Sequence, residues 1–212
     1  MYQPPQFRET ELPVLHAFIR AHALGLLISQ GTDGILANPI PFLVYPDEGA
    51  YGTLRCHVSR ANPQWQALQQ SPAALVVFQG VEHYITPGWY PAKTEHGKVV
   101  PTWNYALVQA RGPARVIEDA GWLHANVSAL SDMHEHGRTE PWAVTDAPET
   151  FIAGQLKGIV GIEVALTSIE GKFKASQNRA VADRAGVAEG LAELGDAAAL
   201  AMREMVKGRG GV

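Results

Sequence analysis

Three runs rich in β-forming residues, 24–30 (LGLLISQ), 35–45 (ILANPIPFLVY) and 50–58 (AYGTLRCHV), are joined only by the turn signals GTDG and PDEG. Connections this short reverse the chain between antiparallel neighbours, whereas parallel strands need a long crossover. The spacing therefore predicts an antiparallel meander. Strand patterns resume at 73–80, at 83–87 and along 99–119, the last two separated by the polar loop 91–98. A final strand pattern covers 159–177, where Ile162, Val164 and Leu166 alternate with Gly161, Glu163 and Ala165. That many short strands can close into a small barrel.

Helical signals punctuate the strands. Leu12, Leu15, Phe18 and Ile19 fall at helical spacing, with Pro13 where a first turn tolerates it. Asn62 is a good N-cap, Pro63 suits the first helical position, and Trp65 and Leu68 share a face. The segment 120–130 reads as a helix, and Asp146 with Glu149 is spaced as a capping box ahead of FIAGQL. After Asn178 the chain is alanine-rich, which predicts one amphipathic helix ending in a flexible KGRGGV. The expected organisation is one domain over 1–180 and a helical extension over 181–212, packed on that domain or on a partner subunit.

Composition narrows the function classes. At 212 residues, 46% hydrophobic and 18% charged, the chain can bury a real core. No apolar run approaches the ~20 residues that span a bilayer, and MYQPPQFRETEL lacks the basic and apolar regions of a secretory leader. Cys56 is the only cysteine, which rules out an internal disulfide and a multi-thiolate zinc site. A cytoplasmic protein is expected, with no membrane partner. A formal net charge of -4 argues against non-specific nucleic-acid binding.

Five separated blocks carry a more specific signal: HVSRANPQW at 57–65, HYITPGWYP at 83–91, GKVVPTWNY at 97–105, ARVIED at 114–119 and FKASQNR at 173–179. Together they resemble the PaiB family of FMN-binding proteins, which is also associated with negative regulation of transcription. The resemblance implies an α+β fold: an antiparallel split β-barrel of the pyridoxamine-phosphate-oxidase type, with peripheral helices and a helical C-terminus. It further implies FMN as cofactor and a homodimer that completes the flavin site.

The residues inside these blocks suit such a ligand. In HVSRANPQW a strand ends where a capped helix begins, and a helix N-terminus favours a phosphate. Arg60 adds a fork of donors, Ser59 and Asn62 add neutral hydrogen bonds, and Arg55 and His57 lie on the strand leading in. Trp103 could stack on a flat ring, with Thr102 and Asn104 as hydrogen-bonding groups. Lys98 and Lys174 could place positive charge near the flavin pyrimidine end. Asn38 and Ile40 lie in ANPIPF, whose two prolines mark an edge strand with free backbone groups. Ser176, Gln177 and Asn178 complete the set, offered to the partner subunit.

Other signals are discounted. His134 and His136 would face opposite sides of a helix, and MHEHGRTEP reads as a polar loop, so no metal site is expected. Cys56 and His57 point to opposite faces of a strand, which leaves Cys56 a small buried hydrophobe. VADRAGVAEGLAELG has helix-turn-helix spacing at Ala182, Gly186 and Val187, yet its second helix would turn Glu189 and Glu193 toward phosphates. DNA is therefore a partner the local sequence does not support. Two functions remain: a flavin-dependent sensor or transcriptional regulator, and a flavin-dependent oxidoreductase acting on a small molecule with NAD(P)H or another donor. No residue stands out as a catalytic acid or base.

Overall fold

The computed structural model describes residues 1–212. Nine strands form the sheet: β1 (Arg8–Glu9), β2 (Leu24–Gly31), β3 (Gly34–Pro41), β4 (Leu43–Tyr45), β5 (Thr53–Ser59), β6 (Ala73–Ile85), β7 (Thr102–Ile117), β8 (Ile159–Ala165) and β9 (Ser168–Lys174). Its main path runs β3-β2-β6-β7-β8-β5-β4, while β9 pairs with β1 and β7. Seven α-helices accompany it: α1 (Leu12–Ala21), α2 (Gln64–Gln70), α3 (Ala92–Glu95), α4 (Ala120–Glu135), α5 (Glu149–Leu156), α6 (Val181–Leu194) and α7 (Ala197–Gly210). This is the α+β, antiparallel split-barrel class that the sequence predicts.

The predicted meander is present only in part: it splits at Phe42 into two hairpins, β2–β3 and β4–β5, which lie at opposite ends of the main path. Strand β2 pairs antiparallel with β3 from Leu24 opposite Pro41 to Gly31 opposite Gly34, closed by the turn at Thr32 and Asp33. Strand β3 ends the path, the edge position its prolines require.

Contacts divide the chain into two compact units. The first comprises Met1–Glu11, Gln79–Val108 and Glu170–Val212; the second comprises Leu12–Phe78 and Gln109–Ile169. In the second unit, Leu54, Cys56, Val58, Ile162 and Val164 point inward from β5 and β8, the alternation a pleated strand imposes. Helix α1 buries Leu15 and Ile19, and α4 lies on β5 and β8. There the Trp122 ring stands 2.3 Å from where a Gly161 Cβ would be, so only glycine admits it. The first unit has its own core, in which Val187, Leu191, Ala199, Met202 and Val206 of α6 and α7 meet Ile85, Tyr90 and Ala175.

Several local expectations are corrected. Residues 73–85 form one strand through Gly80 rather than two, while 35–45 break at Phe42 into β3 and β4 and 159–177 break into β8 and β9. Helix α4 continues to Glu135, so His134 lies in its last turn and not in a loop. No capping box opens α5: Pro148 precedes it, and the Asp146 carboxylate accepts from Ala143 N–H (2.8 Å) in a separate short turn. Beyond residue 180 there are two helices, and the second runs to Gly210. Helix α6 passes unbroken through Gly186, which removes the turn a helix-turn-helix needs.

Candidate functional site

In the second unit, the chain leaves β5 at Ser59 and enters α2 by way of Asn62. Asn62 Oδ1 accepts from Gln64 N–H (3.0 Å), but the helix begins at Gln64 with Pro63 in the N-cap position, so the expected cap is displaced by one residue. Gln64 is fully buried and donates to the Leu27 carbonyl (2.9 Å) and to Ser29 Oγ (3.1 Å). It also accepts from Asn38 Nδ2 at 2.9 Å. Asn38 and Asn62 therefore both bond Gln64, Asn62 at its backbone N–H and Asn38 at its buried side-chain amide, and the latter bond fastens edge strand β3 to α2. Ile40 of that strand is buried. Ser59 Oγ accepts from Ala61 N–H (3.3 Å).

Arg60 is spoken for. Its guanidinium donates to the carbonyls of Lys157 (3.0 Å) and Ile159 (3.3 Å) and to the Glu118 carboxylate (2.5 Å). Arg55 is held likewise, between Glu48 and Glu163 (2.8 Å each) and over the Tyr45 ring. His57 turns beneath α4, where its Nδ1 lies 3.2 Å from Asn126 Nδ2. Burial lowers its pKa, keeping the imidazole neutral.

The first unit gathers a different set. The Lys174 ammonium donates to Thr102 Oγ1 and to the Trp103 carbonyl (2.6 Å). Burial, then the charges of Lys172 and Arg179, lower the Lys174 pKa. Nearby carboxylates are engaged elsewhere, Glu9 with Arg209 and Glu170 with the N-terminal amine. Trp103 is 53% exposed, and Tyr84, also exposed, meets its ring edge-on at 5.9 Å. Asn104 is fully buried: its Nδ2 donates to Ser176 Oγ (2.9 Å), and its Oδ1 has no partner.

Ser176 has φ of 62°, a left-handed conformation that a residue other than glycine adopts at a cost. Gln177 folds back onto its own backbone, accepting from Ala175 N–H and donating to the Phe173 carbonyl. Asn178 is exposed, and Lys98 lies exposed in the loop after α3.

The structure thus brings Thr102, Trp103, Asn104, Lys174 and Ser176 together. Lys98 and Asn178 are exposed and make no side-chain bond to that set, and Arg55, Arg60 and His57 are engaged within their own unit. Sequence reasoning missed Lys172, Arg179 and Tyr84. The two cations flank Lys174 in the chain, Arg179 inside the 173–179 block and Lys172 just before it, so charge density there was the available signal; Tyr84 lies within the 83–91 block but was not singled out from it.

Residues 1–168 match the family described as "Putative FMN-binding domain". The chain belongs to this FMN-binding family, of the PaiB type. An uncharacterized protein of Aspergillus fumigatus is 35% identical, the alignment covering 99% of this chain and 98% of the relative. The protease synthase and sporulation protein PAI 2 of Bacillus subtilis is 28% identical over 90% of this chain and 89% of its own. Among solved structures, the FAD and heme binding protein from Mycobacterium smegmatis superimposes with a TM-score of 0.57 at 18% identity, covering 79% of this chain and 73% of that one. That likeness concerns the fold. No helix of this FMN-binding family member is long and apolar enough to cross a membrane.

Proposed function

We propose that the protein binds FMN and works as a homodimeric flavin-dependent sensor or regulator in the cytoplasm. The observation that carries this reading is the Lys174 ammonium, held by Thr102 and the Trp103 carbonyl beside Lys172 and Arg179 and next to an exposed indole. A lysine that makes no ion pair suits an anionic group, and a bare indole suits a flat ring. A flavin mononucleotide offers both. The Asn104 Oδ1, buried and unpartnered, supplies an acceptor for a ring N–H.

When bound, a flavin supplies electron-accepting chemistry that no side chain here provides. Lys174 would set positive charge beside its pyrimidine end, Thr102 and Ser176 would fix orientation, and Trp103 would cover a ring face. Ser59, Arg60 and Asn62 belong to the other unit, and Arg60 would have to release Glu118 before it could hold a phosphate. The exposed apolar side chains Tyr2, Tyr84, Val100 and Trp103 support a face covered by a second copy.

An oxidoreductase acting on a small molecule is the alternative, favoured by the same lysine, since a cation there stabilises a reduced anionic flavin. Fluorescence titration with FMN and with FAD tests the shared premise. Lys174→Ala is expected to weaken FMN binding by more than Arg60→Ala or Lys98→Ala. Equal losses, or tight FMN binding by Lys174→Ala, would refute this placement. Turnover of NADH or NADPH by the flavin-loaded protein selects the enzyme, and sedimentation gives the oligomeric state.

A further inference from the structure

In the second unit, α4, α5 and the segment before α5 border a partly open cavity of about 230 Å³, lined by His57, Val127, Trp142, Val144, Ile152 and Leu156 among others. A second hollow of about 530 Å³ shares Val144, Ile152 and Leu156 with it. Helix α5 buries none of its residues; Ile152 and Leu156 are only half covered and Phe151 is exposed. Apolar walls without facing atoms forfeit the dispersion contacts that a filled interior makes.

The polar fittings are few and specific. No charged residue lines the smaller cavity. His57 is neutral, and with Nδ1 accepting from Asn126 its remaining proton sits on Nε2 as a donor. Asn126, which fixes that tautomer, is 3% exposed, and its Oδ1 has no partner in the chain. Besides His57 only Ser131 and Gln155 bring polar side chains to the lining, and an apolar hollow with a few polar groups is the ordinary make-up of a small-molecule site.

We propose that the cavity between β5, α4 and α5 binds a small, neutral, aromatic molecule whose carbonyl or similar acceptor takes a hydrogen bond from His57. This site goes beyond the flavin reading and does not depend on it. The absence of a cation in the lining excludes carboxylates as preferred ligands, and the Trp142 and Ile152 walls select flat apolar bodies.

Fluorine NMR of the full chain with para-fluoroacetophenone, para-fluorotoluene and para-fluorobenzoate tests it. The ketone is expected to bind roughly tenfold more tightly than the toluene, the effect of one buried hydrogen bond, and more tightly than the benzoate. His57→Phe should abolish the preference for the ketone while leaving toluene binding, and Ile152→Trp should abolish both by filling the space. Ile152 is half-buried, so that variant carries the test even if His57→Phe fails to fold. No binding of any probe, a preference for benzoate, or binding indifferent to Ile152→Trp would overturn the proposal. FMN titration of Ile152→Trp should be unchanged, which separates this site from the flavin site.

Discussion

The indole of Trp89 fills the space that a Cβ on Gly190 would need, with its Nε1 and Cε2 both 2.3 Å from that position. Gly186, one turn earlier on α6, meets the Trp89 carbonyl at 2.1 Å in the same way. Alanine would ordinarily strengthen a helix by about 1 kcal/mol over glycine. Here a rigid ring stands in its way, and overpacking of this kind typically costs about 1–3 kcal/mol. Gly190→Ala is thus expected to lower stability in chemical denaturation. Gly208→Ala on α7, where nothing lies within 4 Å, should raise it slightly.

Gln64 tests how edge strand β3 is held. Replacing it with leucine keeps the bulk and removes the bonds to Asn38 Nδ2 and Ser29 Oγ. Each buried partner left without a bond costs about 1–3 kcal/mol. The loss should appear as lower stability and as faster amide exchange in residues 35–40. Unchanged exchange there would mean that the β2 ladder alone secures the edge.

The β2–β3 and β4–β5 hairpins were readable because their signals are local: turn residues and two-residue periodicity suffice to place those strands, though not to show that the two hairpins part company at Phe42. The breaks at Phe42 and between β8 and β9, and the continuity of β6 through Gly80, depend on which neighbour each segment pairs with, and periodicity within a segment does not carry that information. The same limit applies to the site. Residue type suggested Arg60 as a phosphate ligand, but Glu118 and two carbonyls remote in sequence decide its role. Lys174 and Trp103 were legible as chemistry, and only the structure brings them together. In the tail, Leu191 packs as its type suggests, whereas Leu194 and Leu200 are exposed and Met202 and Val206 fill the core instead.

Glu163 sets an acid limit on stability. Burial alone would raise its pKa, but Arg115 and Arg55 outweigh burial and hold the carboxyl below its ordinary 4.5. A carboxylate depressed in the folded state adds stability that is full above its unfolded pKa and is lost as pH falls through the folded value. Unfolding free energy should therefore drop as pH falls below about 4.5, and Glu163→Gln should flatten part of that drop while lowering stability at neutral pH. An unchanged slope in Glu163→Gln would assign the acid limit to other carboxylates, Glu9 beside Arg209 first among them.

The C-terminal hairpin is expected to be a structural element that does not read DNA. Val187, Leu191, Ala199, Met202 and Val206 form most of the first unit's core, so deleting 181–212 would bare Ile85, Tyr90 and Ala175. A deletion of that size removes several side chains, each worth about 1.5–3 kcal/mol when buried, and exceeds the stability of most domains. The truncated chain should aggregate or fail to fold. The charge pattern points the same way. Glu189 and Glu193 are the exposed acids of α6, and Arg184, its only cation, lies against α7, its Cδ 3.2 Å from where a Gly210 Cβ would be. Phosphate contacts need cations or N–H donors that are free to reach out. In a gel shift at low salt, any DNA affinity of the intact protein should survive Arg184→Ala. Loss of binding in an Arg184→Ala protein with wild-type stability would show that α6 does engage the phosphate backbone.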